Sequence, residues 1–306
     1  MTKTVTTDIS EAIIRPNTEA ELALAAMKRG RKVVQHSGRY WVETARGFFE
    51  PMHWLARLPK EQIERPSFFC WGYRSCLHQD EAAYANGSLP IHLLEEKDLI
   101  NYNEANLPAK RRSQLRKSRK VVQVVRIVEP QPFLEQGYDV LKSAVNRTQH
   151  GSVPAFDGYC ENMQRQFAED KSMMLAGLVD GKMRGYVVLS AVDDVAYIDT
   201  VLLATEFLST DIGTALAFEA VQVARRCPQI KYVVYGLHSI EDSRLGVFKE
   251  GMGFKVHLWP LKYQIPRIMC WLIGRRSPEK LYRLTGVQFE PRDMSFTLPS
   301  PHGSSR

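Results

Sequence analysis

A chain of 306 residues that is 44% hydrophobic and 25% charged can bury a large core, and lies near the length at which one core splits into domains. Its formal net charge of +7 sits in one place: the segment KRRSQLRKSRK, 110–120, holds seven basic residues and no acid, and removing those seven leaves 34 basic against 34 acidic residues. This argues against a nucleic-acid binder that spreads positive charge over a face, and no apolar run approaches the eighteen or so residues of a membrane span.

In chain order, the opening MTKTVTTDISEAII lacks a basic start, hydrophobic core and cleavage site, so the expected compartment is the cytoplasm. EAELALAAMK, Glu19 to Lys28, predicts a helix ended by Gly30. KVVQHSGRYWVE alternates around Ser37-Gly38 as a hairpin, and SFFCWGYRS and LPIHLLEE predict two further strands. The first hundred residues therefore read as α+β, without a recognisable catalytic cluster. After the basic segment, VVQVVRIVEP predicts a strand. FLEQGYDVLKSAVNRTQ and FDGYCENMQRQFAED predict helices, and SMMLAGLVDGKMRGYVVLSAVDDVAYIDTVLL predicts three strands with turns at Asp180-Gly181 and Asp193-Asp194. A helix rich in Ala and Val, from EFLSTDIGTALAFEAVQVARR, comes next. The strand KYVVYGL, the helix SRLGVFKEGMG and a last strand FKVHLWPL complete a β-α-α-β-β-β-α-β-α-β order. KYQIPRIMCWLIGRRSPEKLYRLTG reads as an amphipathic helical extension broken at Pro266 and Pro278. It suits a membrane surface or packing across the preceding sheet, and the tail LPSPHGSSR is expected to be disordered.

Other chemistries find little support. The five cysteines are scattered and odd in number, which reads as free, mostly buried thiols without the paired short spacing of a zinc site. The eight histidines form no H-E-x-x-H cluster, and no metal is expected. G-x-S-x-G and P-loop signatures are absent, which sets aside serine hydrolases and P-loop NTPases.

One glycine asks for a reason. Gly213 lies in the first turn of an otherwise strong helix, where glycine costs about 1 kcal/mol relative to alanine. Helix-start packing is one reason, and a closely approaching ligand is the other. The basic segment offers a similar choice. Arg112, Arg116, Arg119 and Lys120 fall on or near one helical face with no acid inside the segment, so they read as a solvated face or as forks for phosphate.

The order of elements from Val121 to Leu261 resembles the GNAT acyltransferase superfamily, whose mixed sheet opens between its fourth and fifth strands to hold an acyl thioester. The turn Thr210-Asp211-Ile212-Gly213-Thr214-Ala215 resembles the family's [QR]-x-x-G-x-[GA], with Thr210 in place of Gln or Arg and Asp211 bringing negative charge. The resemblance implies that Thr210, Ile212, Gly213, Thr214 and Ala215 bind the pyrophosphate of acyl-CoA, acetyl-CoA being the usual case. Where the family commonly places a thiolate-protonating Tyr, four residues before Gly253-Phe254, this chain has Lys249. The pair Phe248-Lys249 is similar to the Fem-type (FemAB-like) peptidyl transferases, as are Ser209, Gly213 and Thr214 and the basic segment before the fold. That branch uses aminoacyl-tRNA, so tRNA is a possible partner, and the donor stays open between it and acyl-CoA.

These expectations assemble into an α/β (α+β) protein with four parts. They are an α+β region at 1–109, for which a degenerate GNAT-like unit is one reading, the basic segment at 110–120, an acyltransferase domain at 121–261, and an extension with its tail at 262–306. The expected activity is N-acyl transfer from a small-molecule acyl donor to an amine acceptor, with cell-envelope or polysaccharide precursors implied by the Fem resemblance. Lys249 would stabilise the reacting oxygen, Phe248 shape the channel, and Asp199 or Tyr235 handle the proton, while Arg112, Arg116 and Lys120 would meet phosphate. A catalytically inactive GNAT-like scaffold or RNA-binding protein is the alternative. Composition gives no oligomeric state.

Overall fold

The computed structural model describes residues 6–149, 151–241 and 243–289; the expected disorder of the tail falls outside them. The described chain forms two units that interleave in sequence. The first takes the residues up to Asn17, Leu93–Gly236 and Phe248–Phe254, and the second takes Thr18–His92, Leu237–Val247 and the chain from Lys255 onward. Neither unit follows the expected divisions at 109, 120 and 261.

The first unit has the GNAT-like fold. Its strands lie in the order Thr6–Asp8, Gln123–Ile127, Met173–Val179, Lys182–Val192, Val195–Leu203 and Tyr232–Leu237. All neighbours are antiparallel except the last pair, which is parallel. Helices Tyr138–Thr148 and Phe156–Glu169 pack on one face, through a cluster with Phe133, Tyr159, Met174 and Tyr186. The helix Ile212–Arg225 lies in the other core cluster with Leu175, Val187 and Ile198. From Gln123 to Gln264 the predicted β-α-α-β-β-β-α-β-α-β order is observed element for element.

Glycines seat the central helix. Gly177 and Gly185 face each other across neighbouring strands, and a Cβ at either would meet the Ile212 side chain, at 2.8 and 3.2 Å. The paired glycines thus make a dent that receives fully buried Ile212 and sets the start of its helix against the sheet.

In the second unit the strands run Gly87–Leu94, Lys255–Gln264, Gly72–Leu77, Phe48–Pro51, Arg39–Ala45 and Val33–His36, with Arg57–Leu58 beside Gly72–Leu77. The predicted hairpin forms, with Ser37 and Gly38 both at positive φ, and the helix Glu19–Lys28 carries a Thr18–Glu21 capping box. One strand falls elsewhere than expected. SFFCWGYRS pairs only from Gly72; Phe68 and Phe69 stand in solvent ahead of it, because the turn fixed by Ser67 O and Cys70 N ends the ladder. The short strands Phe48–Pro51 and Arg57–Leu58 carry no alternation long enough to have been read. The extension forms helices Arg267–Arg276 and Pro278–Thr285, broken at Pro266 and Pro278 as expected, although Lys262–Gln264 still belong to the last strand. All five cysteines are free thiols, four of them buried.

Candidate active site

The site begins where the sheet of the first unit comes apart. Strands Val195–Leu203 and Tyr232–Leu237 pair through Val195–Tyr232, Ala196–Val233 and Tyr197–Val234 only. Beyond that point Val195–Leu203 stays bonded to Lys182–Val192, but with a change of register. Leu189 faces Ile198 and Val188 faces Thr200, so Asp199 is the extra residue of a β-bulge. A bulge bends its strand and increases its twist. The strand is thereby re-aimed at the residue after its parallel pairing ends.

Asp199, expected as the general base, therefore occupies an irregular position. Its side chain is open to solvent, yet surrounding protein desolvates the carboxyl and pushes its pKa up to about 6, while a hydrogen bond with the Ser190 side chain pulls the other way. Such a group is ionised at neutral pH but remains a useful proton acceptor. Tyr235 is the first residue past the last parallel pair. It is buried, which pushes its phenol well above the usual range, so it stays protonated. Its ring meets Phe254 at 5.3 Å and Phe248 at 6.5 Å.

Lys249 is 5% exposed, and its Nζ stands 5.1 Å from the centroid of the Tyr235 ring. The cause is local. Helix Ser243–Gly251 ends in a Schellman pattern, with the Phe254 N–H bonded to Lys249 O (3.2 Å) and the Gly253 N–H bonded to Glu250 O (2.9 Å). Gly253 has φ +93°, open to glycine at little cost. The Gly253-Phe254 pair is thus a helix stop that fixes Lys249 in the last turn and buries Phe254. Lysine is rarely buried without compensation, so an exposed helix lysine is not what the structure contains.

The helix start behaves differently from the expected pyrophosphate cradle. Ile212, Gly213, Thr214 and Ala215 are all buried. The Thr214 and Ala215 N–H groups are taken by Asp211 O, at 2.9 and 3.3 Å, and the Thr210 hydroxyl donates to Phe207 O. Asp211, in the left-handed region at φ +57°, places its carboxylate against Gln114 Nε2 (2.9 Å) and Lys117 Nζ (3.5 Å). That carboxylate makes no capping hydrogen bond to the N–H groups of the helix start. At Gly213 a Cβ would meet Leu203 Cδ1 at 2.9 Å. The first atom such a methyl group would meet is thus the far end of a side chain of the protein itself.

The basic segment forms helix Ala109–Ser118, and its faces divide the work. Arg112 donates to Ala105 O and Leu107 O, Arg116 and Arg119 bind Glu104, and Lys120 is exposed. The partnerless face expected for Arg112, Arg116 and Lys120 thus finds a loop and an acid supplied from just upstream, at 104–107. The adjoining face, Arg111, Gln114 and Lys117, reaches Phe248 and the start of the glycine helix, while Arg119 also meets that helix further on, at Phe218 and Glu219. Arg111 sets its guanidinium 4.7 Å over the Phe248 ring, and Gly251 leaves room for it, since a Cβ there would lie 2.6 Å from Arg111 Nε. Arg111 and Gln114 escaped the sequence reading; their i, i+3, i+6 spacing with Lys117 was the available signal.

A recess of about 440 Å³ lies beside the end of strand Val195–Leu203, lined by Glu135, Gln136, Asp139, Lys182, Arg184 and Glu206 among others. Five residue steps lead from Asp199 to Ala204 at its rim, roughly 16 Å at 3.3 Å per residue.

Comparison with known proteins agrees with this geometry. Residues 141–254 match the family model described as the acetyltransferase (GNAT) family. Among solved structures the chain is similar to FemX, at 10% identity and a TM-score of 0.58, covering 83% of this chain and 92% of that one. It is also similar to the C-terminal domain (DUF2156) of a candidate lysylphosphatidylglycerol synthetase from Agrobacterium fabrum, at 12% identity and a TM-score of 0.57, over 83% and 89% of the two chains. A conserved protein of unknown function from Bacteroides thetaiotaomicron is similar at 11% identity and a TM-score of 0.53, over 83% and 94%. No curated protein matches the sequence. The resemblance to the GNAT acyltransferase superfamily is borne out, and in fold it extends to the Fem-type branch. An acyltransferase is the class that the family match supports, and the solved structures show the shared fold. Among the described residues no helix is long and apolar enough to cross a membrane.

Proposed function

We propose that the first unit catalyses N-acyl transfer, with the donor carbonyl in the opening between strands Val195–Leu203 and Tyr232–Leu237. The observation that carries this reading is the parting of those strands at the Asp199 bulge, with Tyr235 and buried Lys249 just beyond the last paired residues. An acceptor amine attacks the carbonyl carbon. Asp199 accepts the proton that the nitrogen sheds, and the Lys249 ammonium stabilises the oxyanion. The C–S or C–O bond of the donor then breaks as the carbonyl re-forms, its electron pair leaves with the sulfur or oxygen, and that atom takes up a proton, returned by the Asp199 carboxyl through solvent. Phe248 and Tyr235 supply the apolar wall.

For the donor, the match to an acetyltransferase family supports acyl-CoA. A second reading, aminoacyl-tRNA, draws on a particular observation: Lys110, Lys117 and Lys120 are exposed on a helix that reaches the glycine turn through Gln114 and Lys117, where a phosphate chain could run outside the cleft. Incubating the protein with acetyl-CoA and, separately, with aminoacyl-tRNA tests both. The true donor raises the melting temperature in proportion to its occupancy and loses its acyl group to a supplied amine. Failure of both donors to bind or react would remove the transferase reading.

A pH profile tests the base. Turnover is expected to rise through about pH 6 with one ionisation, and Asp199→Asn should lower it at least tenfold and abolish that limb. Stability should move in the opposite sense. A carboxyl whose pKa is raised on folding favours the fold when protonated, and that advantage is lost as pH climbs from the unfolded value of about 3.9 through 6. Asp199→Asn should therefore melt higher than the parent at pH 7.5 and no higher at pH 3.5. An unchanged limb in the variant would assign the titration to another group.

A further inference from the structure

The second unit carries a surface that its own fold does not use. Phe68 and Phe69 are 83% and 77% exposed, edge to face at 5.4 Å, at the tip of the loop ahead of strand Gly72–Leu77. Two neighbouring rings this open are unusual on a soluble surface. The loop is held firmly. Arg65 donates to Phe68 O (2.6 Å) and Cys70 O (2.9 Å), and Trp71 Nε1 donates to Arg46 O (2.6 Å).

Strand register shows what lies beside the tip. Phe48 faces Gly72, and Gln264 faces Tyr73. The turn before Phe48, the loop before Gly72 and the chain leaving Gln264 therefore share one end of this sheet. From Gln264 the chain enters helix Arg267–Arg276, whose first turn presents Ile268, 62% exposed. The same helix turns Cys270 into the cluster that holds Phe48 and Trp71. Arg46, Arg65 and Arg267 are exposed on these three segments, with Arg65 6.0 Å from the Phe68 ring; of the acids at this end, Glu43 accepts from the Gly47 N–H and pairs with Lys32 at 3.7 Å, and Glu64 is turned to His36 at 3.5 Å. Beyond them Arg275 and Arg276 are exposed on the same helix. Protruding aromatic and aliphatic side chains on segments that also expose arginine have the chemistry of a membrane interface: apolar groups enter below the headgroups and cations pair with lipid phosphate.

We propose that the second unit docks on an anionic phospholipid surface through Phe68, Phe69 and Ile268, with Arg46, Arg65 and Arg267 meeting the headgroups. The rigid loop favours this, since little freedom is lost on insertion. The proposal is independent of the transferase reading, because none of these residues takes part in the site.

The test is co-sedimentation of the full chain with large unilamellar vesicles. The protein is expected to bind vesicles of phosphatidylcholine mixed with phosphatidylglycerol, to bind pure phosphatidylcholine far less, and to release as salt rises. Phe68→Ser/Phe69→Ser should weaken binding by roughly thirtyfold or more, given the apolar area withdrawn. Phe68→Leu/Phe69→Leu should retain most of it, and both changes lie on exposed side chains that the core does not need. Absence of binding to the mixed vesicles, or equal binding by the Ser variant, overturns the proposal. So does sedimentation velocity showing a dimer that the Ser variant dissolves, since the surface would then belong to a second copy of the chain.

Discussion

Lys249→Met is expected to lower turnover by about a hundredfold or more while changing donor affinity only severalfold. A fixed positive charge beside a forming oxyanion acts chiefly in the transition state, and losing one such group typically costs that much. The structure sharpens the expectation in two ways. Lys249 is buried in the last turn of its helix, held there by the Gly253 stop, so its position is fixed rather than sampled. Its Nζ lies over the face of Tyr235, the first residue past the parting of the strands, where the donor carbonyl is proposed to sit. Methionine keeps the length and most of the apolar contact, so the fold should survive, to be checked by circular dichroism. Steady-state kinetics on the parent, Lys249→Met and Lys249→Arg with the identified donor make the comparison. Arginine should recover part of the loss, since it restores charge but not shape. Parent-like turnover in the Met variant would remove Lys249 from the chemistry and leave it a buried packing residue.

The fold was legible because most of its elements obey local rules. The capping box at Thr18, the turn at Ser37-Gly38 and the prolines at 266 and 278 mark boundaries that the structure keeps. Phe68 and Phe69 misled, since aromatic residues before a strand resemble strand residues until their exposure is known. The site was legible where a single residue broke a pattern. Asp199 stands out in a β-branched run, and Lys249 stands at a fixed distance from Gly253-Phe254. What pattern could not give was pairing between distant segments. Glu104 pairs with Arg116 and Arg119, and Asp211 accepts a hydrogen bond from Gln114 and pairs with Lys117. Both arrangements turn on which helix face meets which loop, and the sequence of the basic segment alone offers several faces. The Asp199 bulge is of the same kind, visible only once Val188 and Leu189 show their partners.

Gly213→Trp should destabilise the first unit severely, and Gly213→Ala should leave it as stable as the parent or more so. The two substitutions separate packing from ligand approach as the reason for a glycine in this helix. Gly213 is buried, and the atoms nearest to an added Cβ are Leu203 Cδ1 at 2.9 Å and Phe248 Cζ at 3.9 Å. The first is the far end of a flexible side chain, so a methyl group asks for a small rotation of Leu203. Against that small cost stands the helix-propensity gain of about 1 kcal/mol for alanine over glycine. An indole has no such escape. It must displace Leu203 or Phe248 from a close-packed cluster, and overpacking of this size costs roughly 3 kcal/mol or more, on the order of a 10 °C fall in melting temperature for a unit this large. Donor binding then decides the rest. With the helix start buried and Leu203 Cδ1 the first atom an added methyl would meet, Gly213→Ala should bind donor within twofold of the parent. If the Ala variant melts like the parent but loses donor affinity tenfold, the methyl group has struck a ligand rather than Leu203. The helix start would then be a donor contact, reached by withdrawal of Asp211 from Gln114 and Lys117.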